Sequence, residues 1–306
     1  MNNVKDSKVH KSSKLNQSNF GDFTLNNYQV FLKLASRIKY LNEADKKPEQ
    51  LKRKYLLTAK DFSEEFEVDL SYSYRILEKA CKKLMKTSII LPVESLNSRK
   101  KREINVCSMA VYNETEGSIE IEFTDRIMPH LAFVKEKFTC YNLKEIIHFR
   151  SIYSTRLYEL IHDFKETGWI IKNIDELRET FAVSNKFKMY GHFKERVLKS
   201  ACKEINKYYP KYNIRFEEIK TGRKVTSIKF LFNKISAHKV YNPITCDSRN
   251  NYTKHEKILD SKKKNDTDSK YPDIVLDGQM SFEDKQQKQG QIGNAASNLL
   301  QNLQVS

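Results

Sequence analysis

One segment decides the fold: Tyr190–Tyr208, which reads YGHFKERVLKSACKEINKY. Its apolar residues recur at steps of three and four, as they do along one face of an amphipathic helix. These apolar residues are Phe193, Val197, Ala201, Ile205 and Tyr208. The opposite face carries, at similar steps, His192, Arg196, Lys199, Lys203 and Asn206. The pattern predicts a helix that packs on a core with one face and offers cations on the other.

A short helix and a hairpin are predicted on either side of this segment. Ile174–Phe181 has Leu177 and Phe181 four residues apart and acidic residues in its first turn, which is typical of a short helix. Asn213–Phe232 alternates apolar and polar residues around the basic, glycine-containing sequence Lys220–Lys224, which predicts a β-hairpin. Short helix, turn, basic helix and basic hairpin form the pattern of a winged helix-turn-helix domain.

A basic helix beside a basic hairpin tip predicts an interface with DNA. An α-helix fits the major groove, and cations that line it release the counterions condensed on the phosphates. For a single amphipathic helix, a merely solvated outer face is the simpler interpretation, but the helix and the hairpin tip together favour DNA. The candidate contacts in this half of the chain are Lys188, His192, Lys194, Arg196, Lys199, Lys203, Arg223 and Lys224.

The same pattern of cations occurs 117 residues earlier, at Arg75, Lys79, Lys82 and Lys86. They lie in a predicted helix, Ser71–Thr87, which follows a short helix over Leu57–Phe66 with Thr58 and Asp61 as possible caps. Alternating, strand-like segments come next. Basic spacings coincide easily in a lysine-rich chain, but the repeated order of elements predicts two copies of one winged-helix unit. The candidate contacts of the first copy are Ser71, Tyr72, Ser73, Arg75, Lys79, Lys82 and Lys86.

The sequence therefore predicts an α+β protein with two tandem winged-helix (winged helix-turn-helix) domains related by pseudo-symmetry, plus a disordered C-terminal tail. The predicted regions are a disordered basic arm over 1–19, a first domain over 20–138, a second domain over 139–236 and a disordered polar tail over 237–306. The first helices of the two domains are expected within Phe20–Ile38 and Tyr141–Lys165, and a further helix within Leu131–Phe138.

Composition favours a polyanionic partner inside the cell. The 306 residues carry a net charge of +16, and for so basic a chain nucleic acid is a commoner partner than a membrane surface. No run approaches the 18 or so apolar residues that a spanning helix needs, so no membrane contact is expected. The N-terminus lacks the apolar core of a signal peptide, which predicts a cytoplasmic protein.

The motifs of common DNA enzymes are missing from the sequence. None of the seven histidines forms the His-x-His pair of rolling-circle initiators, and no phosphate-binding loop of an ATPase occurs. The five cysteines are scattered without a Cys-x-x-Cys, and Cys81 and Cys202 are expected to fill the core. We therefore expect no catalysis, no metal and no cofactor.

Several motifs carry a resemblance to a known family. In the second half they are Arg156–Ile161, Glu176–Arg178, Tyr190–Leu198, Glu204–Asn206, and Lys220–Val225 leading to Ile228 and Phe230. In the first half they are Tyr74–Arg75 and Ala80–Leu84. These motifs resemble the matching parts of the replication initiators of iteron-containing, theta-replicating plasmids. The similarity covers roughly residues 20–235 and is more specific in the second half.

The resemblance implies an initiator that binds directly repeated origin sequences in double-stranded DNA. It also implies recruitment of host replication proteins, such as an initiator or a helicase, and an equilibrium between monomers and dimers in which the dimer represses the protein's own promoter. The strands expected over Ile104–Ala110 and Ile119–Phe123 offer edges for pairing with a second copy, or serve as a wing that touches phosphates.

Two alternatives to an initiator remain open: a dedicated transcriptional regulator with the same two domains and no origin role, and a structural protein that bridges DNA. A bridging protein needs only charge, whereas sequence-specific binding needs a few residues that face the bases. Several direct repeats beside the gene, near an AT-rich segment, favour the initiator. An isolated inverted repeat in a promoter favours the regulator.

Overall fold

The computed structural model describes residues 7–38, 52–92, 102–132 and 138–234. The predicted tail over 237–306 lies outside these residues, as do residues 1–6 of the predicted arm.

The rest of the predicted arm is ordered, so the prediction of disorder is wrong there. It forms β1 (Lys8–Ser12) and the one-turn helix α1 (Ser13–Asn16). Val9, Leu15 and the side chain of Lys11 are all buried. The apolar side chains are too few to form a recognisable pattern, and the partners of Lys11 lie far along the chain.

The first winged helix begins with a helix that is shorter than predicted. Thr24 caps its N-terminus in a reciprocal capping box with Asn27, so the helix starts at Leu25. A second capping box, between Thr58 and Asp61, confirms both predicted caps. The short helix starts at Ala59, two residues later than predicted, because Leu57 and Thr58 belong to a strand. The helices and strands of this unit are α2 (Leu25–Ala35), β2 (Lys54–Thr58), α3 (Ala59–Phe66), α4 (Leu70–Met85), β3 (Ser88–Leu91), β4 (Arg102–Asn105), β5 (Cys107–Asn113) and β6 (Ser118–Phe123).

The strands of this unit form a three-stranded antiparallel sheet in the order β2-β6-β5 and a separate pair, β3-β4. The strand predicted over Ile104–Ala110 is therefore two strands in different sheets. Val106 separates them, because its N–H donates to the carbonyl of Thr87 while its own carbonyl accepts from Thr124. The strand predicted over Ile119–Phe123 is confirmed as part of β6.

The segment that joins the two units differs from the prediction. A strand, β7 (Phe138–Asn142), pairs antiparallel with β1, and a 3-10 turn follows at Leu143–Glu145. The helices predicted within Leu131–Phe138 and Tyr141–Lys165 are therefore wrong at Phe138 and at the residues from Tyr141 to Glu145. Asn142 explains the break, because its side chain accepts from the N–H of Lys144 and its own N–H donates to Glu145. Leu131 and Ala132 form a turn, and 133–137 lie outside the described residues.

The second winged helix repeats the order of the first. Its elements are α5 (Ile152–His162), β8 (Trp169–Asn173), α6 (Ile174–Thr180), α7 (Tyr190–Phe193), α8 (Ser200–Tyr208), β9 (Arg215–Thr221) and β10 (Lys224–Leu231). The strands form a sheet in the order β8-β10-β9. A π-helical segment, Lys194–Lys199, joins α7 to α8, so the predicted helix has the expected extent but not uniform geometry. We call this whole segment, Tyr190–Tyr208, the second recognition helix, and α4 the first.

The two recognition helices bury equivalent faces. The buried pairs, each separated by 117 residues, are Ile76 and Phe193, Ala80 and Val197, Cys81 and Leu198, and Leu84 and Ala201. Cys81 and Cys202 both lie in the core, as predicted. The repeat seen in the cations is thus also a repeat of packing, because the same positions face the core in both helices.

One buried side chain joins the N-terminal segment to both winged helices. Arg156 of α5 donates hydrogen bonds to the carbonyls of Asn16 and Ser18, each at 2.7 Å, and to that of Thr180, at the end of α6, at 3.4 Å. The same guanidinium donates to the phenol oxygen of Tyr28, in α2, at 2.7 Å. It therefore fixes the first helix of each unit relative to the other.

Glu159 completes this buried network from the same helix. Its carboxylate accepts hydrogen bonds from Lys11 Nζ at 2.6 Å and from the hydroxyls of Tyr28 and Tyr141 at 2.5 Å. Burial alone raises the pKa of this carboxyl, but Lys11 and Arg156 lower that pKa below its ordinary value, so the group is charged. Buried charges are tolerated when they are paired and fully hydrogen-bonded, as they are here.

Candidate nucleic-acid interface

The second recognition helix presents an exposed basic stripe. His192, Arg196, Lys199 and Lys203 are exposed, whereas Phe193 and the rest of the apolar face are buried. One cation of the stripe is partly neutralised, because Lys199 Nζ lies 2.6 Å from Glu195 Oε1 one turn earlier. The other three side chains of the stripe, those of His192, Arg196 and Lys203, are exposed where a DNA groove can approach them.

Glu218 fastens this helix to the hairpin. The hydroxyl of Tyr190 donates to Glu218 Oε1 at 2.8 Å, and Lys194 Nζ lies 2.7 Å from the same oxygen. These two hydrogen bonds lower the pKa of the Glu218 carboxyl. Lys194, predicted as a direct DNA contact, is half-buried and is held by Glu218 of β9. Its contact with DNA stays a prediction and would compete with this ion pair.

Arg178 fixes the turn before the same helix. Its guanidinium donates to the carbonyls of Lys186, Phe187 and Lys188 at 3.0–3.2 Å and lies 4.8 Å from the centre of the Phe193 ring. The side chain of Lys188, a predicted contact, stays exposed. The turn is therefore held in one conformation while its side chains face solvent.

Sequence reasoning missed Met189, which ends this turn and is 68% exposed. It precedes His192 by three residues and so continues the 3–4 spacing of the basic stripe toward the N-terminus. That spacing was the available signal, but a search limited to cations passes over a methionine.

The hairpin of the second unit projects beyond its sheet. β8 pairs with β10 only over Ser227–Leu231, whereas β9 and β10 remain paired as far as Thr221 and Lys224. Gly222, at φ +61°, opens the two-residue turn. The predicted contacts Arg223 and Lys224 are exposed at this tip, where a wing can reach a phosphate backbone.

The first recognition helix presents an equivalent stripe. Arg75, Lys79, Lys82 and Lys86 are all exposed. Lys82 Nζ lies 2.6 Å from Glu78 Oε1, and this pair precedes the pair Glu195–Lys199 by 117 residues. The two stripes therefore share their ion pairing as well as their spacing.

The start of the first recognition helix corrects one predicted contact. Ser71 and Tyr72 are exposed, and their N–H groups donate to the capping carboxylate of Asp69 at 2.9 and 3.2 Å. Ser73 is fully buried, and its hydroxyl donates to the carbonyl of Asp69. The prediction that Ser73 contacts DNA is wrong, because its position faces the core, three residues before Ile76.

The hairpin of the first unit differs from the projecting wing of the second. Ser118 pairs with both Thr58 and Asn113, so the hairpin ends level with β2. The ring of Tyr74, in the first recognition helix, fills the space where a Cβ at position 117 would lie, so Gly117 (φ +57°) allows the turn to pack on this helix. The turn over 113–117 carries two glutamates and no cation. A turn that is acidic and packed against the first recognition helix is poorly suited to contact a phosphate.

Two other kinds of site are missing from the described ranges. No helix there has the length and apolar character needed to cross a bilayer. In the same residues, no group of three or more His, Cys, Asp or Glu side chains is placed to hold a metal ion. The expectations of no metal and no cofactor stay predictions.

Two winged helices, each with an exposed basic stripe over a buried apolar face, define a tandem winged-helix DNA-binding protein. Residues 8–162 match the family model described as "Initiator Replication protein, WH1", and residues 173–232 match "Initiator Rep protein, WH2". The chain belongs to this family of replication initiator proteins. The resemblance inferred from sequence motifs is thereby confirmed, while the predicted boundary at 138/139 stays a prediction.

Similar individual proteins agree with this assignment. The chain is 29% identical over 262 residues to the PI protein of Escherichia coli, covering 73% of this chain and 84% of the relative. It is 23% identical over 223 residues to a replication initiation protein of Escherichia coli, covering 71% and 67%. It also resembles the crystal structure of Pi initiator protein in complex with iteron DNA, with a TM-score of 0.57, 24% identity and coverage of 74% and 97%. The predicted α+β fold with two winged helices is confirmed.

Proposed function

We propose that this protein initiates plasmid replication by binding directly repeated origin sequences, or iterons, with both winged helices of one chain. The observation that carries the proposal is the pair of equivalent basic stripes on units locked together by Arg156. Two different domains in one chain make an asymmetric reader, which suits a directly repeated site. A twofold-symmetric dimer suits an inverted repeat instead.

The two units divide the work of binding in this proposal. The second recognition helix reads base edges with His192 and Arg196, while Arg223 and Lys224 hold the backbone from the projecting wing. The first unit grips phosphates mainly through its recognition helix, since its hairpin is acidic and does not project. The remaining predicted contacts belong to the same surface, which consists of Ser71, Tyr72, Arg75, Lys79, Lys82, Lys86, Lys188, Lys194, Lys199 and Lys203.

The protein acts in this account without catalysis, in the bacterial cytoplasm, on the plasmid that encodes it. Bound copies at the origin recruit host replication proteins such as an initiator or a helicase. A dimer forms through β5, which is an edge strand of the β2-β6-β5 sheet and carries the exposed Val111. This dimer represses the protein's own promoter.

A paired assay tests the proposed function. Binding titrations compare a duplex with one direct repeat from the origin to a shuffled duplex, and a second assay asks whether the protein, supplied in trans, maintains a plasmid carrying that origin. The proposal predicts at least a thousandfold preference for the repeat, the ordinary lower range for specific binding, and plasmid maintenance. Specific binding without plasmid maintenance would overturn the origin role and favour a dedicated transcriptional regulator. Equal binding to both duplexes would favour a structural protein that bridges DNA.

Arg196→Ala and Arg215→Ala provide matched variants for both assays. Arg215 is exposed at the start of β9, the end of the hairpin farthest from the tip. It lies about 20 Å from the tip at the usual rise of a strand. Arg215→Ala is expected to bind and to maintain the plasmid like the wild type. Arg196→Ala is expected to lose about 1–3 kcal/mol of binding to the repeat and to maintain the plasmid less well.

A further inference from the structure

Met189 is the most exposed large apolar side chain in the part of the chain that the structure describes, at 68%. Met189 is the N-cap residue of α7, and its side chain makes no capping hydrogen bond. Phe193, four residues later, is fully buried, whereas most of the Met189 side chain is exposed to solvent. The apolar surface of Met189 is therefore left for an external partner.

The position of Met189 points to DNA as that partner. Met189, His192, Arg196, Lys199 and Lys203 follow one another at steps of three, four, three and four, which places them on one side of the helix. Every other member of this stripe is cationic or titratable and exposed. DNA that contacts the N-terminal end of the stripe, at His192, lies next to Met189.

The main chain of Met189 is fixed on both sides. Arg178 holds the three preceding carbonyls, from Lys186 to Lys188. Tyr190, the next residue, is hydrogen-bonded through its hydroxyl to Glu218 at 2.8 Å. A fixed main chain brings the Cα of Met189 to the same point each time the protein binds, so only the side-chain torsions have to order on contact.

The first unit carries a large apolar surface at the equivalent position. Tyr72 precedes Met189 by 117 residues, the offset that relates the two stripes, and is 45% exposed. The guanidinium of Arg75 lies 5.2 Å from the centre of its ring. Both units thus place an exposed, largely apolar side chain one step before the first basic residue of the stripe.

We propose that Met189 reads a thymine, by packing its side chain against the C5-methyl group in the major groove. The proposal rests on the proposed function, since it needs the second recognition helix to enter that groove. Among the groups that the four base pairs present there, the thymine methyl is the apolar one, and contact with it distinguishes thymine from cytosine. Met189 thereby contributes to sequence specificity through an apolar contact, which salt does not screen as it screens the interactions of the cations.

Deoxyuridine isolates this contact, because it differs from thymidine only in lacking the C5-methyl group. Each thymine of a one-repeat duplex is replaced in turn, and dissociation constants are measured for the wild type, Met189→Ala and Met189→Leu. At one thymine, or two adjacent ones, we expect the replacement to weaken the wild type about fourfold, as for the loss of one buried methyl group. Met189→Ala is expected to be insensitive there, and Met189→Leu to remain sensitive.

Met85→Ala is the matched control. Met85 is also an exposed methionine, 48% exposed, but lies at the C-terminal end of the first recognition helix. This variant is expected to keep the wild-type profile. Since Met189 is exposed, Met189→Ala is expected to keep the wild-type unfolding temperature, so a changed profile reports the contact and not the fold.

The two ways of failing are distinguishable. If the wild type prefers the repeat but shares one deoxyuridine profile with Met189→Ala, the thymine contact is wrong and the proposed function stands. If the wild type shows no preference for the repeat over a shuffled duplex, the proposed function is wrong, and the thymine contact with it.

Discussion

Lys11 Nζ lies 2.6 Å from Glu159 Oε1, and neither side chain is exposed to solvent. This ion pair spans 148 residues of the chain and attaches β1 to the first helix of the second unit. Burial lowers the pKa of Lys11 to about 8, against the opposing effect of Glu159, so the lysine is charged at neutral pH. The N-terminal segment is thus held to the core by the buried charge of Lys11, which is stabilised by its ion pair with Glu159.

Lys11→Met should destabilise the fold, because it keeps most of the side-chain volume but leaves Glu159 short of a partner. We expect a loss of roughly 3 kcal/mol in the free energy of unfolding, at the lower end for broken buried pairs because Arg156 remains. Chemical denaturation measures it. Lys8→Met, at an exposed position of the same strand, is the control. Equal stability of the two variants would show that the pair does not hold the arm.

Stability should fall as the pH drops from 6.5 toward 4, partly because of His162. Burial lowers the pKa of this imidazole from 6.5 to about 4, so between these values the unfolded chain takes up a proton that the folded protein does not. The stabilisation is complete above pH 6.5 and is lost as the pH falls to about 4, amounting to roughly 3 kcal/mol.

Denaturation of wild type and His162→Phe at pH 7 and pH 4.5 measures this contribution. The variant is expected to lose less stability between the two values, although His10 and His130, whose pKa values burial also lowers, leave part of the dependence. His192→Gln, at an exposed site, is expected to keep the full wild-type dependence. If His162→Phe also kept it, His162 would not be the group that titrates.

Glu218→Gln should weaken specific binding, although it removes a negative charge near the proposed DNA surface. A purely electrostatic effect would strengthen binding. Loss of the charge-assisted bond to Lys194 instead loosens the helix from the wing, and we expect about a tenfold loss on the repeat with little change on shuffled DNA. Titrations on both duplexes measure it, with the exposed Glu217→Gln as control. Tighter binding to the repeat by Glu218→Gln would show that no positioning occurs.

Arg196→Ala and Lys79→Ala should affect DNA binding differently if the second unit reads bases and the first grips phosphates. Arg196→Ala is expected to lose about 1–3 kcal/mol of binding free energy on the repeat and to relax discrimination at one base pair. Lys79→Ala is expected to weaken binding to all sequences alike and to reduce by about one the slope of log binding constant against log salt concentration. Titrations over single-base variants of the repeat, at several salt concentrations, separate the two patterns. Equal losses on every sequence for Arg196→Ala would contradict the division.

Local patterns predicted the two winged helices well. The 3–4 spacing of Tyr190–Tyr208 and the capping box of Thr58 with Asp61 involve residues within a few turns of one another, so one sequence displays them. The same holds for the alternating strands of the hairpin around Gly222. Where neighbouring residues determine the element, periodicity and capping were sufficient.

Contacts between distant residues account for what the sequence did not predict. Order in the arm depends on Lys11 meeting Glu159, and the break before α5 depends on β7 pairing with β1. Within the site, Ser73 was misassigned because its direction is set by the packing of Ile76 on the core. Met189 was missed for a different reason: its spacing is visible in the sequence, but only cations were considered as members of the stripe.

We propose that both units of one chain engage a single repeat in a fixed relative position. Insertion of about half a helical turn, five base pairs, at the centre of a one-repeat duplex rotates one half of the site away from the other. Because Arg156 locks the two units together, we predict that the wild type binds the interrupted repeat at least about a hundredfold more weakly than the intact one, a difference of about 2.7 kcal/mol. An affinity within threefold of that for the intact repeat would contradict the account, because it would mean that one unit binds alone.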